Sequence, residues 1–199
     1  MNNIESIKKI FDMNGGIVKT DLLRKNGLYH QKIQKLINDG IIEQIRRGYY
    51  QYIDEQSFSE IPVLVSLFPD GVICMESALD YYGYTQRTPD SWHIAVDEKT
   101  SRTRFRISSP IVKPHFVSSN KFSIGITHGV IEGTGIKVYD RERTICDCLL
   151  HRNKIDPEVF NQAIQNYLKD DNRNINQLAK YAPILHVERK VKEVLGIWL

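Results

Sequence analysis

Cysteine is scarce in this chain, and the three present, Cys74, Cys146 and Cys148, are an odd number. That excludes a disulfide framework and points to reduced thiols in a cytoplasmic protein. No apolar run approaches the ~20 residues that a bilayer crossing needs. The opening Met1-Asn2-Asn3-Ile4-Glu5 lacks the basic-then-apolar form of a signal peptide. Internal repeats and low-complexity tracts are also missing. Charge of one sign is not in large excess overall: 27 Lys and Arg face 24 Asp and Glu, a formal net charge of +3.

The positive excess that exists is concentrated. Residues 1–52 carry nine Lys or Arg against five acids, and the remainder is close to neutral at −1. The same stretch has the order of three short helices and a basic hairpin. Asn3 is positioned to cap a helix with Ile4, Ile7, Ile10 and Phe11 at three-and-four spacing, stopped by Gly15-Gly16. Thr20 is read as the cap of a second helix, with Leu22 and Leu23 inward and Gly27 at its end. A third runs from His30 to Asp39, with Ile33, Leu36 and Ile37 on one face. Gln31, Lys32, Gln34, Lys35 and Asn38 occupy the other. These long amide and ammonium side chains reach base edges and phosphates.

After Gly40, Ile41, Glu43 and Ile45 alternate with Ile42 and Gln44. The chain then turns at Arg47-Gly48 into Tyr49-Tyr50-Gln51-Tyr52. This is the order of a winged helix-turn-helix, a module that inserts one helix into a DNA major groove and lays a charged wing beside it. The expected contacts to double-stranded DNA are Lys19, Thr20, Gln31, Lys32, Gln34, Lys35, Arg46 and Arg47. A small helical domain with an ordinary solvated basic face is the bland reading of these residues. The coincidence of helix order, wing and charge favours DNA.

The expected organisation is mixed: a winged helix at 1–52, a linker at 53–59, and a larger α/β (α+β) domain at 60–199. In the latter, Ser59 caps a helix over 60–68 and another spans Glu76–Tyr82. Strands are expected at Trp92–Asp97, Thr103–Ser108, Ile111–Val117, Ser123–Thr127 and Ile136–Tyr139, forming a small, mainly antiparallel sheet. Asp140 is expected to cap a helix over 141–151 and Asp156-Pro157 to open one over 157–168. Asn174 or Ile175 begins a short one, and Pro183 starts the last, over 184–195.

Catalytic patterns in this second region are weak. Pro89-Asp90 followed by Asp97-Glu98-Lys99 resembles the carboxylate–lysine set of metal-dependent PD-(D/E)xK nucleases, but the spacing is cramped and a charged loop explains it better. Cys146-Asp147-Cys148 with His151 lacks the spacing and the second pair of a zinc site, so the cysteines are read as core. Gly133-Thr134-Gly135 lacks the third glycine and the Lys-Ser/Thr of a phosphate loop and reads as a turn. No spacing singles out His93, His115 or His128. Neither cofactor, metal nor catalytic residue is therefore expected. Arg141 and Arg143, near a helix N-terminus where cations oppose the dipole, are expected in internal ion pairs.

The segment Gly40-Ile41-Ile42 to Arg46-Arg47-Gly48-Tyr49-Tyr50, joined to Val138-Tyr139-Asp140-Arg141-Glu142-Arg143-Thr144-Ile145-Cys146-Asp147, resembles the AbiEi family of antitoxins. In that family a hairpin of the form R-R-G-x-Y precedes a helix start of the form V-x-D-x-E-R-T-x-x-D. The resemblance spans nearly the whole chain in order and length. It implies a cytoplasmic antitoxin and autorepressor of a type IV toxin–antitoxin operon in phage defence, binding operator inverted repeats. The functional partner it implies is an AbiEii-type nucleotidyltransferase toxin. No antitoxic residue carries over from the family pattern. Two other readings compete: a winged-helix protein with a metal-dependent nuclease or modifying second domain, and a ligand-sensing regulator with a concave apolar pocket.

Overall fold

Ile7 and Phe11, one helical turn apart, are buried in the first helix of the computed structural model, α1 (Ile4–Asp12). The structure describes residues 4–53, 59–107 and 109–196. The cap expected at Asn3, most of the linker expected at 53–59, and Ser108 lie outside them. The described chain is a mixed α/β fold with ten α-helices and two sheets, divided into two compact units. The first is Met1–Pro69 with Arg102–Pro110; the second is Asp70–Ser101 with Ile111–Leu199. The first unit thus extends past the residue 52 expected from sequence, because it takes in the next helix and a later excursion of the chain.

In the first unit, the turn after α1 contains Gly15 and Gly16, both at positive φ, where a side chain would be strained. A short strand β1 (Ile17–Lys19), α2 (Thr20–Lys25), α3 (His30–Asn38), β2 (Ile42–Arg46) and β3 (Tyr49–Tyr52) follow. The sheet order is β1-β3-β2, antiparallel throughout. Its core gathers Ile7, Phe11, Val18, Leu23, Leu28, Ile33, Leu36, Ile42 and Tyr50.

Thr20 is the first residue of α2, not its cap: Lys19, in extended conformation, takes the cap position without a side-chain bond. The alternation of Ile41, Glu43 and Ile45 is broken by a register shift between Gln44 and Arg46, so Ile42 and Ile45 are both buried. A bulge inserts one unpaired residue and turns the next side chain to the other face.

Farther on, α4 (Ile61–Leu67) has Pro62 in its first turn, and the Ile61 amide donates to Ser59 Oγ at 3.4 Å. The expected strand Thr103–Ser108 is instead a 3-10 turn over Arg102–Phe105. Phe105 stacks on Phe68 at 5.1 Å, and Arg104 donates to the Leu67 carbonyl at 3.3 Å. A local turn allows both contacts, which fix this segment against the end of α4.

The second unit contains β4 (Val72–Ile73), α5 (Met75–Tyr81), β5 (Trp92–Asp97), β6 (Val112–Val117), α6 (Ser119–Phe122), β7 (Ile126–Ile131) and β8 (Thr134–Tyr139). Four helices complete it: α7 (Arg141–Leu150), α8 (Pro157–Lys169), α9 (Ile175–Ile184) and α10 (Glu188–Leu195). Its sheet runs β6-β5-β4-β8-β7. The expected mainly antiparallel sheet is in fact mixed, since β5/β6 and β4/β8 pair parallel while β4/β5 and β7/β8 pair antiparallel. Parallel neighbours need long crossovers, and the chain between β5 and β6 makes one through residues 102–110 of the first unit. Residues 119–122, between the strands expected at 111–117 and 123–127, form α6. Pro183 lies inside α9 and does not start the last helix, which begins at Glu188 after His186 at φ 59. Near a helix end the missing proline N–H removes only the bond to the carbonyl four residues back, that of Ala179, which is exposed to water.

α7 is the centre of this unit, with every residue from Glu142 to Leu149 buried. Asp140 caps it as expected, Oδ1 accepting from the Arg143 amide at 2.7 Å and Oδ2 from Tyr181 Oη at 2.8 Å. Glu142 Oε1 accepts from the Asn174 amide at 2.7 Å, and Thr144 donates to the Tyr139 carbonyl at 3.2 Å. Arg141 and Arg143 do form ion pairs, with Asp170 at 2.7 Å and Asp147 at 2.9 Å. The polar residues of the 138–147 motif therefore tie the helix cap, α9 and the β7 approach together. Gly125 shows how closely: at φ +77, an added Cβ would lie 2.5 Å from Arg143 Cβ. Gly125→Ala is expected to destabilise the second unit by about 2–4 kcal/mol in urea unfolding, from backbone strain and overpacking together.

Candidate functional site

Two surfaces carry concentrated chemistry, one in each unit. In the first unit, Ile33 and Leu36 pin α3 to the core and leave Gln31, Lys32, Gln34, Lys35 and Asn38 exposed. At 3.6 residues per turn, Gln31, Lys35 and Asn38 stand opposite the buried stripe, with Gln34 and Lys32 on its flanks. Lys32 Nζ lies 3.5 Å from the Gly27 carbonyl, and together with Lys35 it borders an apolar groove between α1 and α3. Tyr29, just before α3, is 65% exposed. It is a large ring at a helix N-terminus, where backbone N–H groups meet anions. Sequence reasoning misses it because an aromatic in a short connection has no periodicity to mark it.

The other four expected residues meet at the β2–β3 turn. Gly48 takes φ 83, and its carbonyl accepts from the Thr20 amide at 3.0 Å, which brings Lys19 and Thr20 to the turn carrying Arg46 and Arg47. Arg47 is exposed. Arg46 is not free at the tip: its guanidinium lies 4.3 Å from the Tyr49 ring centroid, and Lys19 Nζ lies 5.5 Å from the same ring. One terminal nitrogen of Arg46, NH1, is buried with no hydrogen-bond partner. A desolvated guanidinium nitrogen without an acceptor is costly, so the exposed cation at the turn is Arg47.

In the second unit a cavity of about 410 Å³ opens beside α7, lined by His115, Ser118, Lys121, Arg143, Asp147, His151 and Lys154 among others. A smaller recess of about 200 Å³ shares His115, His151 and Lys154 and adds His93, Lys113 and Glu76. His115 Nε2 and His93 Nδ1 are 3.3 Å apart, and the His115 and His151 rings are 6.5 Å apart. The sheet explains the grouping: His93 is opposite Lys113 and Ala95 opposite His115, so the two histidines are diagonal neighbours on one face of a parallel pair. His151 comes from the end of α7, whereas His128 is exposed on β7 and stays apart.

Burial holds His93 and His115 neutral, with pKa values pushed down to about 4 and about 3; Lys113 adds to the effect on both rings, and repulsion from the His93 and His151 rings when protonated and from Lys154 adds to it on His115. A histidine whose folded pKa lies below its unfolded value near 6.5 binds fewer protons when folded, so its contribution to stability is lost as pH falls through the unfolded pKa. Relative to His115→Gln, the natural protein should therefore lose about 2 kcal/mol between roughly pH 7.5 and 4.5. Urea unfolding of both proteins across that range checks this. A pH-independent difference contradicts it.

The remaining chemical candidates do not assemble. Asp90 and Asp97 sit before and at the end of β5, whose six residues separate them by about 20 Å at 3.3 Å per residue. Asp97 Oδ1 accepts from the Lys99 amide at 2.9 Å, a loop contact. Glu132 and Gly133 at φ 48 and 78 make the β7–β8 hairpin turn. Cys74, Cys146 and Cys148 are free, buried thiols, and burial pushes each pKa upward. Among the described residues, no group of three His, Cys, Asp or Glu is placed to hold a metal ion, and no helix is long and apolar enough to cross a membrane. No protein-family model and no curated protein matches the chain.

Proposed function

We propose that the first unit is a winged helix-turn-helix that binds double-stranded operator DNA at inverted repeats, with α3 in the major groove and the β2–β3 hairpin as the wing. The observation that carries this is the arrangement of α3. It follows α2 after a short connection, buries one stripe in a small core, and presents an uninterrupted face of amide and ammonium side chains. Arg47, exposed at the β2–β3 turn beside Lys19 and Thr20, supports a phosphate contact there.

The wider reading is a cytoplasmic antitoxin and transcriptional autorepressor that counteracts an AbiEii-type nucleotidyltransferase toxin through its second unit. It rests on the two sequence motifs that resemble the AbiEi family. The second of those motifs is committed to holding α7, so residues acting on the toxin belong on exposed parts of the second unit. The chain acts by binding in this reading, and no catalytic step is assigned to it.

Fluorescence anisotropy on duplexes from the region upstream of the gene tests the DNA reading. Gln31→Ala should change preference at one base pair by about 1–3 kcal/mol, the worth of a good bidentate contact. Lys35→Ala should weaken all duplexes alike if it touches phosphate. Equal affinity of the natural protein for every duplex, unmoved by either substitution, would refute α3 as the reading helix.

A further inference from the structure

The cavity beside α7 has a charge balance that the DNA reading does not use. Lys121, Arg143 and Lys154 line it with His115 and His151, and one carboxylate, Asp147, lies among them. Asp147 is already engaged by Arg143 Nε at 2.9 Å. Glu76 borders only the smaller recess. Among the described residues neither Lys121 nor Lys154 is in an ion pair, and the standing charges that act on His115, Lys113 and Lys154, are both cationic. A protein that gathers this much positive potential at one concave site has a field ready for an anion.

The floor is also preorganised. Arg143 is 2% exposed, and its NH1 donates to the Lys121 and Ile124 carbonyls at 2.8 and 3.0 Å. The backbone of Lys121 is therefore fixed at the rim, leaving only its side chain to order when a ligand arrives. Met75, Leu150 and Leu185 add apolar wall, and a volume of about 410 Å³ suits a small organic molecule.

We propose that this cavity binds a small phosphate monoester, its dianionic group held by Lys121, Lys154 and the imidazoles of His115 and His151 above the Arg143–Asp147 pair. Several donors converging from β6, the α6 turn and the end of α7 match a group with three acceptor oxygens and up to two charges better than a single carboxylate. Lys121 and Lys154 supply point charges, and the imidazoles supply N–H donors. The inference is independent of DNA binding and stands if that reading fails.

The test is titration of the full chain with inorganic phosphate, nucleoside monophosphates and succinate, followed by calorimetry and by the imidazole NMR signals of its six histidines. The expected result is saturable binding of a phosphate species, shifting His93, His115 and His151 while His30, His128 and His186 stay still. Lys121→Ala/Lys154→Ala should weaken it at least about tenfold, and Lys180→Ala, at an exposed position on α9, should leave it unchanged. Tighter binding of a nucleoside monophosphate than of inorganic phosphate supports the ester. Equal or weaker binding overturns the ester and leaves the phosphate group alone as the recognised element. No saturable binding, equal binding of succinate, or full binding by the double variant overturns the site itself. Both lysine side chains can be removed without disturbing the Arg143 contacts, which go to backbone carbonyls, so failure of a folded double variant to bind is decisive.

Discussion

Arg143→Ala is expected to cost the second unit about 3–5 kcal/mol, the usual penalty for breaking a buried ion pair by removing one partner. The residue is 2% exposed and fills three roles. Its Nε pairs with Asp147, its NH1 satisfies two carbonyls of the segment before β7, and its guanidinium lies 4.2 Å from the Tyr139 ring centroid. Alanine leaves a charged carboxylate without its cation and two acceptors without their donor.

Burial already pushes the Asp147 pKa up to about 6, against the lowering effect of Arg143. A carboxyl raised above its unfolded value contributes stability at low pH that is lost as pH rises through the folded pKa. The Arg143→Ala penalty should therefore be largest above pH 7 and shrink as Asp147 takes up a proton. Arg143→Met/Asp147→Leu, which removes both charges and keeps volume, should recover a large part of the loss. Urea unfolding of the three proteins at several pH values measures this, and a penalty below about 1 kcal/mol at neutral pH would show that the pair is not the keystone of α7.

The second large effect concerns the division of labour. On the proposed reading of the chain as autorepressor and antitoxin, Arg46→Ala/Arg47→Ala should abolish repression while leaving rescue from the toxin intact when the protein is supplied from an independent promoter. The basic excess lies in residues 1–52, and the second unit has its own core of more than twenty buried side chains around α7, enough to persist when the β2–β3 turn is altered. Removing the Arg46 guanidinium from the Tyr49 ring should itself cost the first unit only about 0.5–1 kcal/mol. A reporter fused to the operon promoter and a toxin-survival assay at matched protein levels read the two functions separately. Absence of rescue by the folded variant would show that neutralisation needs the basic module.

Which of these features can be read from residues follows a physical rule. α1, α3 and the β2–β3 hairpin are legible because Ile7 and Phe11, Ile33 and Leu36, and the Gly48 turn carry local periodicity or a backbone requirement. Asp140 and Asp156 are legible at their helix starts for the same reason, each bonding an amide two or three residues on, while the choice between Asn174 and Ile175 is settled only by the Asn174 side chain accepting from the Gln177 amide. β1 and β4 are not, since three and two residues cannot display an alternation, and their pairing is decided by β3, β5 and β8. The mixed sheet is hidden because strand direction depends on where the chain crosses, which the strands themselves do not encode. The histidine cluster is hidden for a related reason: His93, His115 and His151 are far apart in sequence and meet only through a parallel register and the end of a helix. Among the eight residues expected at DNA, periodicity and the turn signal group them on a helix face and a hairpin. Neither signal tells that Arg46 lies against Tyr49 while Arg47 is exposed.

The central claim, that the first unit binds duplex DNA through its helix and wing, is tested most directly by the salt dependence of operator binding. The full chain and its Arg46→Ala/Arg47→Ala variant are titrated with the same duplex across a series of salt concentrations. The natural protein should show a steep linear fall of log K with log salt, and the variant a slope shallower by roughly 0.9 for each phosphate it no longer neutralises. Absence of duplex binding, or identical affinities and slopes for the two proteins, would contradict it.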